Sequence, residues 1–95
     1  MNSNSKFQEL QEEQRVLVQK INYTIRNYKL RRLCASDDLA DVVRIRSQNS
    51  DNYDMLPVWD ARIFQLREEI EFCNRQIKAY AENDNKMKII PDRLL

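Results

Sequence analysis

The sequence predicts an all-α protein built as a long antiparallel helical hairpin. Three observations predict this fold: apolar residues recur at steps of three and four over two long segments, one polar stretch separates those segments, and none of the 95 residues is glycine. Steps of three and four place side chains on one face of a helix, whereas tight β-hairpin turns usually need glycine. A chain of this length forms one domain at most, and we expect a single helical domain over residues 1–85.

The first long segment predicts a helix over about residues 5–35. Asn4 or Ser5 can cap its beginning, because either side chain can accept a hydrogen bond from a free backbone N–H of the first turn. The apolar stripe of this helix consists of Phe7, Leu10, Leu17, Ile21, Ile25 and Tyr28.

The residues that follow predict a break and then a short helix. Ser36, Asp37 and Asp38 favour helix ends over helix interiors, because their side chains compete for backbone hydrogen bonds. A short helix is expected over about residues 37–47. The polar stretch 47–52 then marks the main loop of the hairpin.

The second long segment predicts a helix over about residues 57–83. Pro57 suits its first turn, where the missing N–H would have no partner. More than three heptads of apolar positions follow without a gap, which is the pattern of coiled-coil-like packing. Asn83, Asp84 and Asn85 are expected to end the helix, and residues 86–95 are expected to form an extended tail.

These patterns predict which side chains meet inside the hairpin. The predicted hairpin core consists of Leu10, Leu17, Ile21, Ile25, Tyr28, Trp59, Ile63, Leu66, Ile70, Cys73, Ile77 and Tyr80. Charge favours the antiparallel arrangement, because residues 20–35 carry five basic residues and no acidic ones, while residues 60–71 carry four acidic residues. The same arrangement predicts that Glu9, Glu12 and Glu13 lie near Arg75 and Lys78.

Both long helices carry more apolar surface than one hairpin can cover. Val16, Tyr23 and Leu30 recur every seven residues away from the main stripe, and Phe64 and Phe72 point away from the heptad face. We therefore expect these five residues to contact a second copy of the chain, giving a dimer or larger helical bundle, or to contact another protein.

Composition argues against several classes of function. The chain has no histidine, the commonest general base and metal ligand, and only two cysteines, Cys34 and Cys73. We expect no catalytic residues, no metal site and no cofactor. The longest apolar run is three residues, and the amino terminus lacks the apolar core of a secretory signal. We accordingly expect no membrane contact and a cytoplasmic location.

The preferred hypothesis is a small non-enzymatic interaction or structural protein, such as an adaptor, inhibitor or assembly factor, that acts through coiled-coil-type packing. The alternative is a nucleic-acid-binding helical regulator that uses the basic segment 20–46. Its possible contacts with phosphates are Arg26, Lys29, Arg31, Arg32, Arg44 and Arg46. The net charge of only +1 weighs against this alternative. A small helical enzyme with a site between subunits ranks third.

Overall fold

The computed structural model describes the backbone of residues 2–94 and the side chains of residues 5–83. It contains two helices, α1 (Asn2–Gln48) and α2 (Leu56–Leu94), and no strand within residues 2–94. The helices lie side by side in a rod of 77 × 16 × 14 Å. The predicted all-α helical hairpin is therefore confirmed.

The contact face between α1 and α2, here called the seam, keeps one spacing along both helices. Every seam position is buried or half-buried, and consecutive positions alternate between steps of three and four residues. The α1 positions are Gln14, Val18, Ile21, Ile25, Tyr28, Arg32, Ala35, Leu39, Val42 and Arg46. The α2 positions are Leu56, Trp59, Ile63, Leu66, Ile70, Cys73, Ile77 and Tyr80.

The predicted break at residues 36–38 is wrong, because α1 runs without interruption from Asn2 to Gln48. The segment predicted as a separate short helix over 37–47 is the carboxy-terminal part of α1. Ser36, Asp37 and Asp38 are exposed, while the seam continues on either side of them through Ala35 and Leu39. A poor helix former at an exposed position costs only about 0.5 kcal/mol, so packing along the seam outweighs propensity here.

The predicted end of the second helix is also wrong, because α2 continues through residues 83–85 to Leu94. Many helices end where one residue adopts the left-handed conformation, and no residue of the described backbone has a positive φ angle. The expected extended tail 86–95 is thus helical as far as Leu94. The side chains of residues 84–95 lie outside the described part of the structure.

The loop over residues 49–55 reverses the chain without glycine. Its turns close through backbone hydrogen bonds, with the N–H of Asn52 donating to the carbonyl of Asn49 at 3.0 Å and that of Met55 donating to Asn52 at 3.1 Å. The side-chain amide of Asn49 donates to the carbonyl of Ile45 at 2.8 Å and so satisfies one acceptor at the end of α1. No residue of this loop has a positive φ angle, so the chain reverses without the left-handed conformation that favours glycine.

Two residues of the predicted hairpin core, Leu10 and Leu17, lie on the surface instead. Their exposed fractions are 62% and 48%. The seam passes through Gln14 and Val18, so it runs one residue away from Leu17. Continued back from Gln14, the same alternation falls on Gln11, so Leu10 also stands one residue away from the line of the seam.

Ion pairs between the helices fix the antiparallel register. The Arg31 guanidinium pairs with the Glu69 carboxylate, and Arg46 donates to Asp60 at 2.5 Å. The predicted approach of Glu9, Glu12 and Glu13 to Arg75 and Lys78 does not occur. The pairing of Arg31 with Glu69 sets Arg75 and Lys78 more than two turns along α1 from these glutamates. Instead, Glu12 pairs with Arg15 and Arg75 with Glu71.

Continuity of α1 can be tested at Ser36 with two substitutions. In a continuous helix, Ser36→Ala stabilises the chain by about 0.5 kcal/mol and Ser36→Gly destabilises it by a similar amount, because helix propensity decides. At a helix cap the order reverses, since glycine is tolerated there and alanine costs about 1 kcal/mol. Urea unfolding at one fixed protein concentration measures the order. A variant series in which Ser36→Ala is the least stable would contradict the continuous helix.

The two cysteines are expected to differ sharply in reactivity. Cys73 is fully buried, and this burial, together with the nearby negative charge of Glu69, raises the pKa of its thiol. Cys34 is exposed. Because the thiolate is the reactive form, a maleimide should label Cys34 in the native protein and label Cys73 only after unfolding. Mass spectrometry of the labelled peptides checks this, and equal labelling rates at both sites would contradict the described seam.

Candidate protein-interaction surface

Much of the apolar surface of this hairpin remains uncovered. The chain exposes 7583 Å² of accessible surface, whereas a compact protein of 11.5 kDa exposes about 5,800 Å². Its radius of gyration is 21.5 Å, against about 12 Å for a compact chain of 95 residues. Exposed large apolar side chains in the described region are Phe7, Leu10, Val16, Leu17, Tyr23, Leu30, Leu33, Val43, Ile45, Tyr53, Met55, Val58 and Phe64.

One group of these side chains, Val16, Tyr23 and Leu30, forms a stripe on the outer side of α1, here called the α1 ridge. Leu17 borders this stripe on the flank next to the seam position Val18. Val16, Tyr23 and Leu30 lie on the side of α1 that faces away from α2, because each stands two residues from a seam position on either side. Tyr23 is the most exposed of the three, at 65%.

Two shallow grooves follow the α1 ridge. One is lined by Glu12, Glu13, Val16, Leu17 and Lys20, and the other by Val16, Gln19, Lys20, Tyr23 and Thr24. Both are open to solvent along the helix and lined largely by carbon atoms. Grooves of this shape between side chains of one helix are where the side chains of a second helix insert.

Charges are distributed unevenly along the ridge. Glu9, Glu12 and Glu13 lie at its amino-terminal end, while Lys20, Arg26 and Lys29 lie towards its other end. Glu12 pairs with Arg15 within one turn, and this hydrogen bond lowers the pKa of the Glu12 carboxyl. The remaining five make no ion pair with any described residue. The ridge thus changes sign along its length.

Three other exposed apolar residues that lie off the ridge, Leu33, Val43 and Phe64, are here called the Phe64 face. Arg31 and Asp38 pair across one flank of the hairpin with α2. Leu33 follows Arg31 by two residues, which turns its side chain about 200° around α1 to the opposite flank. Phe64 is 66% exposed, as the sequence predicts for a residue off the seam. Leu33 and Val43 were not among the predicted interface residues.

Phe72 does not lie on a free surface as expected, because it packs inside the hairpin. Its ring centroid is 6.0 Å from that of Tyr28 in an edge-on arrangement, and the Arg31 guanidinium lies 5.3 Å from the Phe72 centroid. Tyr28 also stacks on Tyr80 at 6.1 Å. Phe72 stands next to a seam position, and the length of its side chain lets it reach across to α1. It therefore contributes to the hairpin.

The basic segment is largely engaged by partners from the same chain. Arg31 pairs with Glu69, Arg32 donates to the Asn74 side chain at 2.8 Å, Arg44 pairs with Asp41, and Arg46 pairs with Asp60. The hydrogen bonds with Glu69 and Asp60 raise the pKa of Arg31 and Arg46, and that from Arg31 lowers the pKa of Glu69. The three carboxylates neutralise Arg31, Arg44 and Arg46, and the Asn74 amide occupies Arg32, so these arginines are less free to contact a phosphate backbone. Arg26 and Lys29 make no ion pair with a described residue.

The described residues bring no group of histidine, cysteine, aspartate or glutamate side chains together in a way that holds a metal ion. Neither helix, over the residues searched, has an apolar stretch long enough to cross a membrane. The exposed apolar ridge is therefore the feature that most needs a functional explanation.

Comparisons with protein-family models, with curated proteins and with solved structures find no match to this chain.

Proposed function

We propose that this chain is a small non-enzymatic interaction or structural protein, acting as an adaptor, inhibitor or assembly factor through coiled-coil-type packing of helix on helix. The observation that carries the proposal is the imbalance between covered and uncovered apolar side chains. In the described region Ala35, Leu66 and Cys73 alone are buried apolar residues, while thirteen large apolar side chains are exposed. Such a surface is typical of a protein whose core is completed by another chain.

Energetics support this proposal. Covering a large apolar side chain contributes roughly 1.5–3 kcal/mol to the free energy of folding or association. Chains of this size bury a small fraction of their surface on their own and are therefore only marginally stable. Two of the three buried apolar residues, Ala35 and Cys73, are small. Contact with another chain along the α1 ridge adds the apolar burial that the hairpin alone lacks.

The arrangement of charge favours a protein over a nucleic acid as the partner. Four of the six basic residues considered for phosphate contact have partners on the same chain. The absence of histidine and of glycine in the sequence favours a binding role over catalysis. The two cysteines are unpaired thiols, which suits a reducing compartment such as the cytoplasm.

Site-specific photo-crosslinking in cells tests this function. Benzoylphenylalanine replaces Tyr23, Phe64 or, as a control, Glu68, which is exposed on the outer side of α2 where the neighbouring turns carry Ala61 and Arg75. We expect discrete crosslinked protein bands from Tyr23 or Phe64, because these side chains lie at contact surfaces, and none from Glu68. Both a second copy of this chain and a different protein satisfy the proposal. Equal crosslinking at all three positions, or none at either apolar position, would contradict it.

A further inference from the structure

The outer sides of the two helices differ in chemical character. On α1 the outer positions between residues 16 and 30 are Val16, Tyr23 and Leu30, all of them apolar and exposed, and only further along do they become the charged Asp37 and Arg44. On α2 the corresponding positions are Ala61, Glu68, Arg75 and Glu82, which are small or charged. A helix packed on the outside of this hairpin therefore gains apolar contact from α1 and almost none from α2.

We infer that the α1 ridge binds the α1 ridge of a second copy of this chain, with the two α1 helices antiparallel and crossing at a two-fold axis between Gln19 and Lys20. The assembly then has both α1 helices inside and both α2 helices outside. This inference rests on the proposed function and names the partner. Homodimers with two-fold symmetry are the commonest protein assemblies, and they require one surface patch that complements itself.

The α1 ridge complements itself about that axis. The axis places Val16 of one chain opposite Tyr23 of the other, so a small side chain meets a large one twice. The grooves beside Val16 and Tyr23 receive these side chains. Lys20 lies near the axis, where its aliphatic part covers apolar surface while its ammonium group reaches water.

Charge selects the antiparallel orientation. It sets the acidic end, with Glu9, Glu12 and Glu13, against the basic end of the other α1, with Arg26 and Lys29. A parallel pair would align like charges along the whole ridge, which is unfavourable. Except for Glu12, which pairs with Arg15, these residues make no ion pair among the described residues.

The rod exposes more surface than a standard dimer interface covers. Such an interface covers about 800 Å² on each partner. This chain exposes 7583 Å² in all, about 1,800 Å² more than a compact protein of its mass. The stretch from Glu9 to Leu30 spans about 33 Å along α1, a length that about six turns of a partner helix cover in full.

The first experiment compares two aromatic residues of equal exposure on different surfaces. Tyr23 on the α1 ridge is 65% exposed and Phe64 on the Phe64 face is 66% exposed. Sedimentation velocity of the full chain is expected to give a dimer for the unmodified protein and for Phe64→Asp, and a monomer for Tyr23→Asp. Circular dichroism at the same concentration reports whether each variant stays helical. A dimer that survives Tyr23→Asp, or that Phe64→Asp abolishes, would overturn the inference.

The second experiment tests orientation with single cysteines in a Cys34→Ser background. Gln19→Cys places thiols beside the axis, within reach of a short bifunctional thiol reagent. Glu9→Cys places them about 30 Å apart in the antiparallel pair and adjacent in a parallel one. Crosslinked dimer from Gln19→Cys alone supports the inference. Crosslinking at both positions indicates a parallel pair. Crosslinking at neither position indicates that the two α1 ridges are not in contact. Either result would overturn the inference.

These outcomes separate this inference from the proposed function. An unmodified chain that remains monomeric up to millimolar concentration overturns the dimer. If photo-crosslinking at Tyr23 then still yields one discrete heterologous protein, the interaction function stands with a different occupant of the ridge. If it yields nothing at Tyr23 or Phe64, both proposals fail.

Discussion

The seam between α1 and α2 is the constraint on which the rest of this molecule depends. Its alternation of three and four residues is unbroken from Gln14 to Arg46 on one helix and from Leu56 to Tyr80 on the other. If either helix departed from this spacing, its apolar side chains would turn away from the other helix in each following turn. The seam therefore keeps α1 continuous through Ser36–Asp38, and by fixing which side faces inward it also fixes which side remains outside.

The seam holds the hairpin together with a thin core. Ala35 and Cys73, two of its three buried apolar residues, are small, which lets the helices approach closely but buries little area. The ion pairs of Arg31 with Glu69 and of Arg46 with Asp60 cross the helices at exposed positions. Such pairs contribute little stability, and their main effect is to select the antiparallel register. The hairpin by itself therefore buries little apolar area for the length of its helices.

The fold class and the α2 seam could be predicted from the sequence, because an apolar spacing repeated over several heptads fits only one face of one helix. The α1 seam could not be placed fully, because Leu17 and Val18 are adjacent and both apolar, and only the packing of α2 selects Val18.

The predicted break at Ser36 was wrong, because helix propensity is a weak local effect compared with packing. Phe72 was misplaced because spacing gives a direction from the helix axis and not the reach of a long side chain towards Tyr28. Val16, Tyr23 and Leu30 are exposed as the spacing predicts.

The charge gradient along α1 has two consequences in the proposed arrangement. On the flank towards α2, basic residues of its second half meet acidic residues early in α2, as Arg31 meets Glu69. Away from that flank, Arg26 and Lys29 belong to the same basic half, and they make no ion pair with any described residue. An antiparallel second copy brings its own Glu9 and Glu13 to this position. One gradient along one helix thus orients both the partner within the chain and the partner outside it, and no separate recognition element is required.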